Sequence, residues 1–163
     1  NQMDSHDTMR MITRFESNAD RAKQALALLF SVPGTACIYY GTEILLEGGN
    51  DPDNRRCMPW KEIEEGRFDE TLSFMKKLIL LRKTHPALRS SIIQFNYGGE
   101  NADGKKRLIR YTKTAEDGGE KIEVTVNCSG KPVSIVNDGT VLLSQKLENG
   151  MLLDDGFMYR LIQ

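Results

Sequence analysis

The periodicity of the chain changes once, near Ser90, and that change limits the folds open to it. Before it, apolar side chains recur at helical spacing. Ala22, Ala25, Leu26 and Leu29 share one face; Leu72, Met75, Leu78 and Ile79 share another, widened by Leu80 and Leu81. After it come short alternating runs: Ile92 to Tyr97, Arg107 to Thr114, Lys121 to Asn127, Pro132 to Val136, Thr140 to Leu143 and Phe157 to Ile162. Turn signals separate them at Gly98-Gly99, Asp103-Gly104, Asp117-Gly118-Gly119, Ser129-Gly130, Asp138-Gly139 and Asn149-Gly150. The expected class is α+β, with a helical part over 1–88 and an antiparallel all-β part over 89–163.

Within the first part, Ser17-Asn18-Ala19-Asp20 supplies helix-capping residue types, and the helix should run to about Phe30 before Pro33 closes it. Asp69 is placed to cap a second helix that stops at Thr84-His85-Pro86. Between them, a Pro33-Gly34 turn feeds an apolar and aromatic run, Ala36 to Tyr40, that reads as a buried strand. Gly41 then releases the chain into a polar loop, Gly48 to Trp60. A helix, a buried strand and a ligand-bearing loop at the strand's C-terminal end make the αβ unit of a parallel barrel or sheet.

The 163 residues suffice for a real core, and the formal net charge of -1 is spread without long single-sign runs. That distribution offers no footprint for nucleic acid or an anionic membrane, and it is compatible with neutral partners such as sugars. The apolar runs Ala25 to Phe30 and Leu78 to Leu81 fall far short of the roughly 20 residues a membrane span needs. The opening residues have neither a basic nor an apolar region, so no signal peptide is expected. Cys37, Cys57 and Cys128 are odd in number and widely spaced, which fits a reducing, cytoplasmic setting better than a disulfide framework or a structural zinc site. No metal and no cofactor is expected.

Two constellations carry candidate chemistry. His6 and Asp7 are adjacent, so on a loop backbone their side chains should diverge and reach one ligand from opposite flanks. The alternative is a turn-capping Asp7 beside a surface His6. In the polar loop, Asp51 and Arg55 stand four residues apart and are able to clamp neighbouring hydroxyls of a saccharide, with Trp60 able to stack on a sugar face. The alternative there is an internal ion pair that orders the loop. Glu43 and Glu47 do not read as a glycosidase carboxyl pair, since nothing sets them ~5 Å apart across a glycosidic bond. His85, before Pro86, reads as a helix-end residue, and the methionines as core or surface filler.

These residues resemble the α-amylase superfamily of glycoside hydrolases. Ser5-His6-Asp7-Thr8 is similar to the family's fourth signature region, and Tyr39-Tyr40-Gly41-Thr42-Glu43 to its last barrel strand. The run from Gly48 to Trp60 resembles the cyclomaltodextrinase, neopullulanase and maltogenic amylase branch. The resemblance implies that the chain is the C-terminal part of a (β/α)8 TIM barrel, two helices and a strand, followed by an antiparallel β-sandwich. It implies that Asp7 stabilises an oxocarbenium-like transition state and that His6, Asp51 and Arg55 bind sugar. Arg56 and Trp60 are weaker candidates. Thr42 stands where many relatives carry Asp, and Lys61 where an acidic residue is expected.

The family takes its nucleophile and general acid from earlier strands, and neither signature occurs in this sequence. The implied parent hydrolyses α-1,4-glucosidic bonds in maltooligosaccharides, cyclodextrins or pullulan, and the isolated chain is expected to be inactive and either to self-associate or to dock its barrel remnant against the β domain. The rival reading is a non-catalytic carbohydrate-binding or structural β domain.

Overall fold

The computed structural model describes residues 1–96, 107–135 and 138–162. In chain order the elements are α1 (Met11–Arg14), α2 (Ala19–Ser31), 3₁₀ turns at Thr42–Ile44 and Asp53–Arg55, α3 (Trp60–Glu64), α4 (Asp69–Thr84) and α5 (Pro86–Arg89). The strands are β1 (Ile93–Phe95), β2 (Arg107–Thr114), β3 (Lys121–Cys128), β4 (Val133–Ser134), β5 (Thr140–Glu148) and β6 (Met151–Leu161).

Both long helices form where their periodicity places them. Asn18 starts α2: its side-chain oxygen accepts from the Arg21 backbone N–H at 2.9 Å, satisfying one donor that the first turn leaves open. Asp69 does not cap α4. The capping position is Phe68, and Asp69 and Glu70 sit inside the first turn, where carboxylates favour the positive end of the helix. Helix α2 is buried on nearly every side, from Ala22 to Ser31, because it lies between the sheet and α4.

Ala36 to Tyr40 is not a regular strand. Its pairing is a single parallel bridge between Cys37 and Gln2, with the Cys37 N–H donating to the Asn1 carbonyl at 2.8 Å. A parallel ladder needs a neighbouring strand over several residues. Among the described residues only the opening ones lie alongside, so the segment stays extended without becoming a ladder.

The strands form one six-stranded antiparallel sheet in the order β1-β2-β3-β6-β4, with β5 also paired to β6. Expected and observed strands agree for β2 and β3. The expected run Ile92 to Tyr97 contracts to β1, and that from Pro132 to Val136 to β4; Tyr97, Val136 and the turns at Gly98-Gly99 and Asp103-Gly104 lie outside the described residues. β5 and β6 are longer than their apolar runs because the Asn149-Gly150 turn, with φ of 47° and 75°, closes a two-residue hairpin whose ladder extends through polar residues. Two register shifts in β5 and a left-handed Asp155 in β6 bend this hairpin.

One face of the sheet carries Tyr111, Val124 and Tyr159 in register across β2, β3 and β6, all buried against α2. Each such aromatic removes roughly 150–250 Å² from water, which makes this row a dominant source of stability. The cluster is continuous from Met11 and α2 through Met75, Leu78 and Leu88 to Phe157. Polar bonds tie the layers as well. The Gln24 amide donates to the carbonyls of Asn127 and Gly156 at 2.8 and 3.0 Å. The opposite face has its own smaller cluster of Ile135, Leu152 and Met158. Among the described residues, no helix is long and apolar enough to cross a membrane.

Candidate functional site

The two loops singled out by sequence meet. Residues 4–10 run alongside the 3₁₀ turn Asp53–Arg55, and the joint between them is built from buried polar groups. Asp4 is 3% exposed: its Oδ1 accepts from the Met11 N–H at 2.5 Å and its Oδ2 from the Thr42 hydroxyl at 2.9 Å. Arg10 is fully buried. Its Nε donates to the Asn54 carbonyl at 2.7 Å and its Nη1 to the Tyr40 carbonyl at 2.6 Å, while its guanidinium lies 4.3 Å from the centre of the Tyr39 ring and 4.7 Å from that of Tyr40. Gly48 passes so close that a Cβ there would meet the Asp53 carbonyl oxygen at 2.7 Å and the Asn54 Cα at 2.8 Å.

On this floor stand the candidate residues. His6 and Asp7 do not diverge. A turn closed by the Asp7 N–H donating to the Ser5 hydroxyl at 3.2 Å folds the backbone back, and His6 Nε2 comes 3.1 Å from Asp7 Oδ2. Both side chains are exposed, at 66% and 71%. Arg55 joins the second constellation to the first: its Nη2 lies 3.1 Å from Asp51 Oδ1, and its Nε donates to the His6 carbonyl at 3.1 Å. Asp51 and Arg55 are therefore paired with each other, on the same rim that carries His6 and Asp7.

Arg56 turns the other way, to Asp53, at 2.7 and 2.8 Å. Its guanidinium, helped by the Gly49 N–H, holds the Asp53 carboxyl below its ordinary value. Trp60 opens α3 with 65% of its surface exposed, and the Tyr40 hydroxyl donates to the Arg56 carbonyl at 2.8 Å. Glu43 sits in the 3₁₀ turn after Gly41, and Glu47 accepts from the Ser17 hydroxyl at 2.5 Å, at the turn between α1 and α2. His85 lies at the end of α4, as expected of a helix-end residue, and its Nδ1 is 2.7 Å from Glu120. Among the described residues, no group of three or more His, Cys, Asp or Glu side chains converges as a metal site.

Sequence reasoning missed Asp4, Arg10 and Asn54. Each is a polar residue buried by contacts with segments up to 48 positions away, and no local pattern marks it.

This arrangement, two exposed polar loops on the helical side of an α+β chain, belongs to a known family. The model of the alpha-amylase catalytic domain matches residues 1–77. The chain belongs to the α-amylase family of glycoside hydrolases. Within it, the chain is 40% identical over 118 residues to the intracellular maltogenic amylase of Bacillus subtilis, an alignment covering 72% of this chain and 19% of that protein. It is 37% identical over 127 residues to a cyclomaltodextrinase of a Bacillus species, covering 78% and 21%. The crystal structure of the maltogenic amylase from S. marinus superposes with a TM-score of 0.80 at 31% identity, covering 100% of this chain and 22% of that one. The chain thus spans about a fifth of the length of the relatives it matches.

Proposed function

We propose that this chain is the C-terminal portion of a retaining α-glucan hydrolase acting on α-1,4-glucosidic bonds in cyclodextrins, maltooligosaccharides or pullulan. Asp7 is the carboxylate that stabilises the oxocarbenium-like transition state, and His6, Asp51 and Arg55 hold the sugar. Residues 1–88 are barrel and residues 89–163 the C-terminal β domain, whose sandwich character is supported by the second apolar cluster on the sheet face away from the helices. The observation that carries the reading is the Arg55 bridge. One guanidinium touches Asp51 and the His6 backbone, so the four residues share one exposed rim within reach of a saccharide.

A retaining mechanism needs two carboxyl groups about 5–5.5 Å apart, one a nucleophile and one an acid. This sequence carries neither of the family's signatures for them, so the chain alone turns over no glucan. Its exposed Ile79 and Leu80 on α4 drive self-association. A cytoplasmic setting accords with its three free cysteines.

The test is a hybrid enzyme in which this chain replaces the matching segment of the Bacillus subtilis maltogenic amylase. The hybrid is expected to release reducing sugar from cyclodextrin, maltotriose and pullulan, and Asp7→Ala to abolish it, while the purified 163-residue chain releases none. A hybrid indifferent to Asp7→Ala would overturn the assignment.

A further inference from the structure

The geometry points to Asn54 as the positioning residue that sets Asp7 in place and joins the two ligand loops into one unit. This rests on the reading of Asp7 and Arg55 as sugar-handling groups, and it goes beyond that reading by assigning a role to a residue that touches no sugar.

Asn54 is fully buried. Its Nδ2 donates to two backbone carbonyls, His6 at 2.7 Å and Thr8 at 3.1 Å. Those carbonyls belong to the residues on either side of Asp7, so one amide group holds the backbone before and after the residue that carries the carboxylate. An amide nitrogen has two donors, and here both are spent on the same three residues.

The support for Asn54 is itself buried and hydrogen-bonded. Its carbonyl accepts from the buried Arg10 Nε at 2.7 Å, and Arg10 is held in turn by its N–H on the Gly48 carbonyl at 3.0 Å and by Nη1 on Tyr40. The next residue, Arg55, donates to the same His6 carbonyl from the exposed side at 3.1 Å. Displacement of the sugar clamp is therefore felt at His6, and Asn54 transmits it to Asp7. A carboxylate on an exposed turn, 71% accessible, has few packing contacts to hold it, so its placement depends on these backbone anchors. Misplacing such a group by about 1 Å is able to cost ~100-fold in rate.

Two measurements test this. In the full wild-type chain, NMR couplings across the hydrogen bonds should connect the Asn54 side-chain nitrogen to the carbonyl carbons of His6 and Thr8; their absence overturns the proposal without any variant. In Asn54→Leu, which keeps the branching at Cγ but has no donors, ¹⁵N relaxation should show the Asp7 amide passing from a rigid order parameter of about 0.85 to below about 0.6, with α2 and β3 unchanged. An Asp7 amide that stays rigid overturns it.

In the hybrid enzyme, Asn54→Leu should lower kcat by about 10- to 100-fold with KM within about threefold, the split expected when a transition-state contact is displaced and ground-state binding is kept. A rise in KM alone would make Asn54 a substrate-binding support and overturn the positioning role. If Asp7→Ala leaves the hybrid active, the glycosidase reading fails, while the NMR result still decides whether Asn54 positions the turn.

Discussion

Ser31 Oγ lies 2.5 Å from the Tyr111 hydroxyl, joining the last turn of α2 to the centre of the sheet. One turn earlier, the Tyr159 hydroxyl donates to the Ala27 carbonyl. Two phenols thus anchor the helical layer to β2 and β6 at the middle of the core, where an unmet polar group is expensive.

These phenols make the fold sensitive to alkali. Burial pushes the Tyr111 phenol up to about 12 from 10.0, and burial raises Tyr159 as well. A raised folded-state value contributes stability that is complete below the unfolded value and is lost as pH rises through the folded one. The urea midpoint should therefore fall between pH 10 and about 12, with the Tyr111 share on the order of 2 kcal/mol. Burial holds the Lys113 ammonium down, an effect of opposite sign, so the comparison with Tyr111→Phe isolates the phenol. Equal slopes in the two proteins would rule the account out.

Arg82 collects carbonyls. Its guanidinium donates to Phe30 at 2.7 Å and Leu88 at 2.9 Å, and also to Gly34, closing the C-terminal end of α2 against α4 and α5. Arg82→Ala should cost about 3 kcal/mol, because several part-buried carbonyls lose their donor together. Arg82→Lys, a point charge on a flexible stem, should recover less than half. Both are read by urea denaturation at neutral pH, and a loss below about 0.5 kcal/mol for the alanine variant would contradict the geometry.

Trp60 is the only tryptophan and is 65% exposed, so its fluorescence reports one site. Maltotriose should shift that emission saturably if the indole stacks on sugar, and Arg55→Ala should weaken the response. Trp60→Ala should leave stability within about 0.5 kcal/mol, because the ring is not part of the core. Emission that ignores the sugar would remove Trp60 from the binding rim.

Leu80 is 60% exposed on α4 beside Ile79. Sedimentation of the wild-type chain should show concentration-dependent association, and Leu80→Glu should shift it towards monomer by placing a charge in the contact. A wild-type chain that is monomeric throughout would refute self-association.

Legibility followed the range of the interactions. The extents of α2, α4, β2 and β3 were readable because periodicity and turn chemistry act within a few residues. So was the turn at Asn149-Gly150, where both residues take positive φ, though not the length of the hairpin it closes. The run Ala36 to Tyr40 misled, since β-branched and aromatic content describes a residue's fit to a strand and not the presence of a neighbouring one. His6 and Asp7 were found as a pair, yet their convergence depends on a turn closed by the Ser5 hydroxyl.

The sequence by itself determined the α+β class and the helices α2 and α4, and it named the four candidates His6, Asp7, Asp51 and Arg55, because each is written in local spacing or in a contiguous motif. Tertiary structure alone decided that Arg55 bridges to the His6 carbonyl and that Asn54 and Arg10 lie buried beneath Asp7. Those contacts join residues more than 40 positions apart, and a buried hydrogen bond is chosen by which unpaired carbonyls the fold brings within reach, a quantity absent from any local window.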